Sequence, residues 1–414
     1  EQFIEPEPPI YLKVYIWNVT NADKFTVTQK RRTDPVEWTF PKPIVEQVGP
    51  FVFREFWLKD DITFMDDKGY NISTEDSKNS EKARIRGRQR YRYESVYDPS
   101  NEKEFGLDPN DPKYKVNVAS ILAVGLPNIV DFILQDTDPI EARVFRGVVE
   151  QLLETTKANP IVKNVTPFEA LFGYEDELLA GIHRICSLSP ECRQNEFLWN
   201  LPTEFGILVQ KNTTLGWNYF EWDTGVNDIH DYAQIKRFGG GNGEKYVTEL
   251  DWWTNDVGNC NLLKGTDGVS MPTDLKKGEP VWAFSADLFR SFYVGYTDVV
   301  KSPNYDIPTY HYDVEPVLFA APNDNPENAC FCYGNYWWDN KNTELDCNEI
   351  SGGIIGDAPS LGIPLLLSLP HFLWGDKLRE VASGNFNPDP ELHNTYLEYE
   401  PVTGTAIQAE KRIQ

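Results

Sequence analysis

Alternation with a period of two constrains this chain more than any other feature. Residues 10–17 read Ile-Tyr-Leu-Lys-Val-Tyr-Ile-Trp, β-branched or aromatic at nearly every position. Such a segment buries one face as a strand and has no apolar stripe at helical spacing. Residues 51–57 (Phe-Val-Phe-Arg-Glu-Phe-Trp), after Gly49-Pro50, predict a second strand, and residues 90–97 predict a third. Residues 59–89 are polar and charged, with a turn expected at 66–69. Strand signals return from about residue 205, parted by turn-rich stretches at 239–243 and 322–326. Residues 405–414 alternate again, and the chain stops inside that pattern, as a piece cut from a longer chain would.

The middle of the chain changes character. Residues 116–135 are apolar, and residues 139–157 carry helical spacing. Thr166-Pro167-Phe168-Glu169 is a capping box with proline at the first helical position. It predicts a short helix through Phe172, ended by Gly173. The expectation is one α+β domain over 1–414, with a helical cluster at 116–183 set into β-rich flanks.

Charge then removes whole classes of function. Asp and Glu number 64 against 39 Lys and Arg, a net −25. That field repels nucleic acid and anionic lipid surfaces. No run of 18 uninterrupted apolar residues occurs, so a membrane-spanning helix is not expected within the chain. The glycine run at 239–243 lacks the Gly-Lys-Ser/Thr ending of a phosphate loop and reads as a hairpin turn. There is no Gly-x-Ser-x-Gly elbow and no His-Glu-x-x-His. The five histidines are scattered; His371 reads as a hydrogen-bonded structural residue. Acidic pairs such as Asp108/Asp111 do not follow calcium-loop spacing. No catalytic residue, cofactor or metal is expected.

Four Asn-x-Ser/Thr sequons, at Asn18, Asn71, Asn164 and Asn212, are candidate glycosylation sites. Cys186, Cys192, Cys260, Cys330, Cys332 and Cys347 form an even set. Together these features point to an oxidising compartment and three disulfides, whose connectivity the spacing leaves open. Zinc is the competing use, but no Cys-x2-Cys pair or nearby histidine supports it.

Several segments together resemble the CD36 family, which takes in the class B scavenger receptors, the type 2 lysosomal integral membrane proteins and the sensory neuron membrane proteins. They are residues 48–54 (Val-Gly-Pro-Phe-Val-Phe-Arg), 171–174 (Leu-Phe-Gly-Tyr), 259–268 (through Gly-Thr-Asp-Gly), 326–332 (ending Cys-Phe-Cys), 368–372 (Ser-Leu-Pro-His-Phe) and 400–404 (Glu-Pro-Val-Thr-Gly). They occur in the family's order along nearly the whole chain. The resemblance implies an irregular antiparallel β-barrel-like core, an apical helical bundle and an internal hydrophobic tunnel. The chain would then be a single ectodomain whose membrane anchors lie outside it. The resemblance also implies Cys260–Cys330 and Cys332–Cys347 bridges, with Cys186–Cys192 as an extra local staple.

The function implied is that of a receptor, at the plasma membrane or in the lysosomal or endosomal membrane. It would bind lipid (fatty acid, sterol or phospholipid), lipoprotein or a protein ligand at the apex and pass lipid through the tunnel. An apolar conduit suits acyl chains because each buried CH2 contributes roughly 0.8 kcal/mol. The apolar residues that could line it read equally well as ordinary core. At the apex, Lys157 and Lys163 match the family's cationic ligand-binding stretch, though each reads as well as a solvated surface residue. Glu150, Glu154, Glu169, Glu175, Asp176 and Glu177 surround them. Two lysines among six acids make a poor trap for polyanions. A neutral lipid or a protein is the better match, and the alternative function is a lysosomal sorting receptor for a protein partner.

Overall fold

The structure, a computed structural model, describes residues 5, 10–28, 37–39, 41–66, 68, 70–80, 83–120, 161–188, 203–209, 211–239, 246–250, 253, 260–288, 290–302, 306–331, 336–337, 344–345, 352–357, 366–381 and 384–414. The chain begins with β1 (Ile10–Val19), β2 (Thr26–Thr28), β3 (Glu37–Thr39), the long β4 (Val45–Met65), β5 (Asn71–Ile72) and β6 (Arg84–Ser95). Next come β7 (Val116–Ala119), β8 (Ile161–Val165), β9 (Tyr174–Glu175) and β10 (Glu204–Phe205). β11 (Leu215–Asp223), β12 (Ile235–Gly239), β13 (Tyr246–Val247), β14 (Val281–Ser285), β15 (Arg290–Lys301) and β16 (Pro308–Asp313) follow. The last are β17 (Tyr336–Trp337), β18 (Glu344–Leu345), β19 (Ile354–Asp357), β20 (Leu366–Ser368), β21 (Tyr396–Tyr399) and β22 (Ala406–Glu410).

Two sheets dominate. One has the order β1-β4-β6-β11-β12-β13, with β5 beside β4; the other is β14-β15-β16-β21-β22. Every ladder between these strands is antiparallel. Strands far outnumber helices among the described residues, so the fold is α+β with a β-dominated body. The sheet is curled where its register shifts, between Val14 and Ile16 on β1 and between Asp60 and Thr63 on β4. Gly49 permits the first shift. Its φ is 141°, and a Cβ there would stand 2.7 Å from the Val14 carbonyl oxygen.

The alternation read from the sequence is the alternation of the core. Phe51 and Phe53 of β4 are buried against Leu171. Phe220 and Trp222 of β11 pack with Phe238 of β12 and with Phe284 of β14. Phe284 thereby joins the two sheets. The second sheet has its own core, with Val294, Tyr312 and Tyr399 at zero exposure.

The capped helix forms as the sequence requires. Pro167–Phe172 is helical; Thr166 accepts from the Glu169 amide, Glu169 reaches back to the Thr166 amide, and Gly173 follows at φ 136°. The turn at 66–69 is built on Asp66, whose Oδ1 accepts from the amides of Lys68 and Tyr70. Gly239 ends β12 and pairs with Tyr246, as expected of a hairpin over the glycine run.

Two expectations are corrected. The stretch expected as a helical cluster begins with a strand, and its 161–165 segment is another: β7 pairs antiparallel with β8. Val116 and Val165 are buried with Ala170 and Tyr174, so β-branched residues at the start of the stretch serve a ladder. The rest of that cluster, 121–160, lies outside the described residues. The third strand starts at Arg84, six residues earlier than its apolar pattern, because arginines occupy its alternate positions. Cys330 lies in the 3-10 segment Pro326–Phe331.

Candidate functional site

Of the two lysines expected at the apex, Lys157 lies outside the described residues. Lys163 projects from β8, and its Nζ lies 2.6 Å from Asp23 Oδ1. That ammonium holds the Asp23 carboxyl below its usual range. The pair is exposed and adds little stability, but it offsets the charge an anionic ligand would need.

The four sequon asparagines fall into two kinds. Asn71 and Asn164 are exposed, the latter at φ 61°. Asn18 and Asn212 are half-buried, and each Oδ1 accepts a backbone amide, from Asn117 and Tyr93 respectively. In two sequons the hydroxyl residue also caps a helix: Ser73 accepts from Asp76, and Thr166 from Glu169.

Cys260 and Cys330 are joined, with Cα atoms 6.3 Å apart. Cys332, Cys347 and Cys192 lie outside the described residues, as does the side chain of Cys186. Beside the bridge, Arg290 is buried, its guanidinium 3.6 Å above the Phe331 ring. Burial lowers its pKa to about 9. His371 is a hydrogen-bonded structural residue, as expected. Its Nδ1 accepts from the Asn387 amide, and its ring meets Trp17 edge-on and lies 4.4 Å from the His393 ring.

What the sequence reading missed is a polar group between the two sheets. Phe53, Glu55, Trp57 and Lys59 share one face of β4. Opposite them on β6 stand Ser95, Tyr93, Tyr91 and Gln89. Trp57 and Tyr91 meet edge to face at 5.3 Å. The Tyr91 hydroxyl donates to Gln89, and Lys59 pairs with Asp267 at 3.0 Å. The other face of the ladder carries the arginines: Arg90 pairs with Asp60 at 2.7 Å, and Arg92 lies 4.0 Å above Phe56.

Asp287 approaches from the 3-10 turn after β14 and pairs with Lys211 from the loop before β11. Burial pushes the Asp287 carboxyl up, but Lys211 and Lys411 together hold it below its usual value. Burial raises Glu55, with Asp287 adding to the rise while Trp57, Tyr93 and Lys411 oppose it. Tyr91 and Tyr93 are both pushed up, first by burial and then by these carboxylates. Yet Asp287 keeps 41% and Lys211 39% of its side-chain surface accessible. Asp287 and Lys211 thus form an accessible ion pair, with the lysine 6.0 Å over the Tyr91 ring. Arginine alternation, a lysine in a loop and an aspartate in a turn gave no local sign of it. Among the described residues no three His, Cys, Asp or Glu side chains cluster as metal ligands do, and no helix is long and apolar enough to cross a membrane.

A family model described as the CD36 family matches residues 1–414. Similar curated proteins include Lysosome membrane protein 2 of Homo sapiens, 27% identical over 411 residues, covering 99% of this chain and 69% of that protein. Sensory neuron membrane protein 2 of Heliothis virescens is 25% identical over 425 residues, covering 100% of this chain and 71% of the relative. Scavenger receptor class B member 1 of Mus musculus is 25% identical over 406 residues, covering 98% and 64%.

Proposed function

This chain belongs to the CD36 family, and from that premise we propose that it is the lipid-handling ectodomain of a scavenger-type membrane receptor. It takes lipid, or a lipid-carrying or protein ligand, at an apex formed by 116–183. It then passes lipid between the two sheets toward the bilayer. The family consists of receptors and lipid-transport proteins, not enzymes. The observation that carries the reading is the family match along all 414 residues. The ion pair of Lys163 with Asp23 argues against polyanion capture at the apex.

Native mass spectrometry of the purified chain, before and after delipidation, tests the proposal. Co-purifying lipid that is lost on delipidation and regained on incubation with vesicles is expected. A chain that stays lipid-free in the presence of vesicles would overturn it.

The similarity to Lysosome membrane protein 2 favours a second reading, a lysosomal sorting receptor for a protein. It predicts pH-dependent capture of a protein partner through the apex expected at 116–183.

A further inference from the structure

Two backbone amides of one short segment end on imidazole rings. The Asn387 amide donates to His371 Nδ1 at 3.2 Å, and the Asp389 amide donates to His393 Nδ1 at 2.9 Å. The two rings lie 4.4 Å apart, tilted by 35°. An Nδ1 that accepts an amide hydrogen bond carries a lone pair, so each neutral ring holds its proton on Nε2. That tautomer offers a metal no lone pair at Nε2. It also makes both hydrogen bonds the property of the uncharged rings. Protonation places a hydrogen on Nδ1 opposite an amide N–H, and the bond is lost. A second proton sets two cations side by side.

What the rings hold is a junction. Phe386 packs edge-on against Trp17 of β1 at 5.2 Å and against Phe372 at 5.0 Å. Gly384 bridges Val45 of β4. The His371 amide donates to the Gln414 side chain, and the Gln414 and Ser368 backbones pair in both directions. Segment 384–389 thereby ties the sheet of β1 and β4 to the residues that lead into β21. His371, Phe372 and Trp374 stand at φ 57°, 50° and 63°. Non-glycine residues keep that left-handed backbone only where their surroundings hold them in it.

The charges around the rings are few. Asp389 favours a charged His393, and Arg412 opposes it; burial lowers the pKa of both rings, and His371 lowers that of His393 further. Arg412 itself pairs with Glu410. Beside His371, Arg379 donates to the Phe372 carbonyl and pairs with Asp376. Glu391, on the Pro390–His393 helix, is exposed. Trp17 and Phe386 bring no charge.

We propose that His371 and His393 form a two-imidazole clasp, which holds segment 384–389 against β1 while both rings are neutral and opens when they take up protons. The clasp is indifferent to which ligand the receptor takes. An imidazole freed by opening has a pKa of about 6.5, so at pH 5 each ring favours the open form by up to about thirtyfold, against about one at pH 7.5.

Hydrogen–deuterium exchange of the 1–414 chain, corrected for the intrinsic pH dependence of exchange, reads the Asn387 and Asp389 amides. Protection of peptides within 384–394 is expected to fall by about tenfold or more between pH 7.5 and pH 5, while β11 keeps its protection. The double variant His371→Asn/His393→Asn places an amide oxygen near each Nδ1 position and accepts at either pH. It is expected to keep the protection seen at pH 7.5 and to lose the pH response. Histidine-selective 15N NMR of the wild type decides independently of how the variant folds, with the Nε2–H tautomer expected for both rings at neutral pH. Wild-type protection unchanged across that range, an equal fall in the folded double variant, or an Nδ1–H tautomer at either ring would each overturn the clasp.

Discussion

Lys59 and Asp267 form an ion pair at 3.0 Å with 6% of either side chain accessible. The lysine comes from the middle of β4, and the aspartate from the Gly-Thr-Asp-Gly loop more than two hundred residues later. The Lys59 ammonium also lies 5.3 Å from the Trp222 ring. Removing one partner strands a buried charge, whereas removing both removes the need for either. Lys59→Met is expected to lower stability by about 3–5 kcal/mol. Lys59→Met combined with Asp267→Leu should recover most of that loss. Urea unfolding of the two single variants and the double variant checks this; equal losses in the single and double variants would mean the pair is not coupled.

Thr166 has two duties, since it is the hydroxyl of the Asn164 sequon and the cap of the Pro167–Phe172 helix. Thr166→Ala should lose the glycan and about 1 kcal/mol of stability. Thr166→Ser should keep both, and Asn164→Gln should lose only the glycan. Mass analysis of the secreted protein and thermal melts of enzymatically deglycosylated samples separate the two effects. A Thr166→Ala variant as stable as Asn164→Gln would refute the capping role.

His371 and His393 respond to pH with one sign and His311 with the other. Burial lowers the pKa of His371 and of His393, the latter further depressed by His371. The unfolded chain then binds protons that the fold resists, so their contribution is present above about pH 6.5 and is lost as the pH falls. His311 is raised, first by its hydrogen bond to Asp313 and then by Glu398, despite partial burial. Its contribution is present below about pH 6.5 and is lost as the pH rises through the raised value. Replacing His393 with Gln should therefore lessen the fall in melting temperature between pH 7 and pH 5. Replacing His311 with Gln should lower the melting temperature more at pH 5 than at pH 8. Melting curves across that range decide, and identical pH profiles for wild type and variants would contradict both assignments.

The Cys260–Cys330 bridge spans a sequence separation of 70. Closing a loop of that size in the unfolded chain is worth about 4 kcal/mol in the loop-entropy treatment. The Cys260→Ser/Cys330→Ser double variant should lose stability on that scale in guanidinium titration. A loss below about 1 kcal/mol would mean that the loop is already constrained by other contacts.

Local physics made some elements legible and hid others. Thr166, Pro167, Glu169 and Gly173 are a complete set of helix signals, and the helix stands where they put it. Residues 10–17 and 51–57 are rich in β-branched and aromatic residues, and both lie in strands. β6 extends ahead of its apolar pattern, where Arg84, Arg86 and Arg88 alternate with Ile85, Gly87 and Gln89. Period two is present there, but one face carries guanidinium groups where hydrophobicity was sought. The strand's guanidinium groups are accommodated on neighbouring strands, Arg84 by Glu221, Arg90 by Asp60 and Arg92 by the Phe56 ring. At residue 116 apolar composition suggested helix, and pairing with 161–165 made strand.

By itself the sequence determined the β-dominated character, the capped helix, the Cys260–Cys330 pairing through family resemblance and the receptor family. All of these rest on residues adjacent in the chain or on motifs in fixed order. Only the tertiary structure decided that Lys163 is neutralised by Asp23, that Lys59 meets Asp267, and that Lys211 pairs with Asp287. Coulombic interaction depends on distance in space, and antiparallel sheets bring together residues whose separation along the chain carries no trace of that distance.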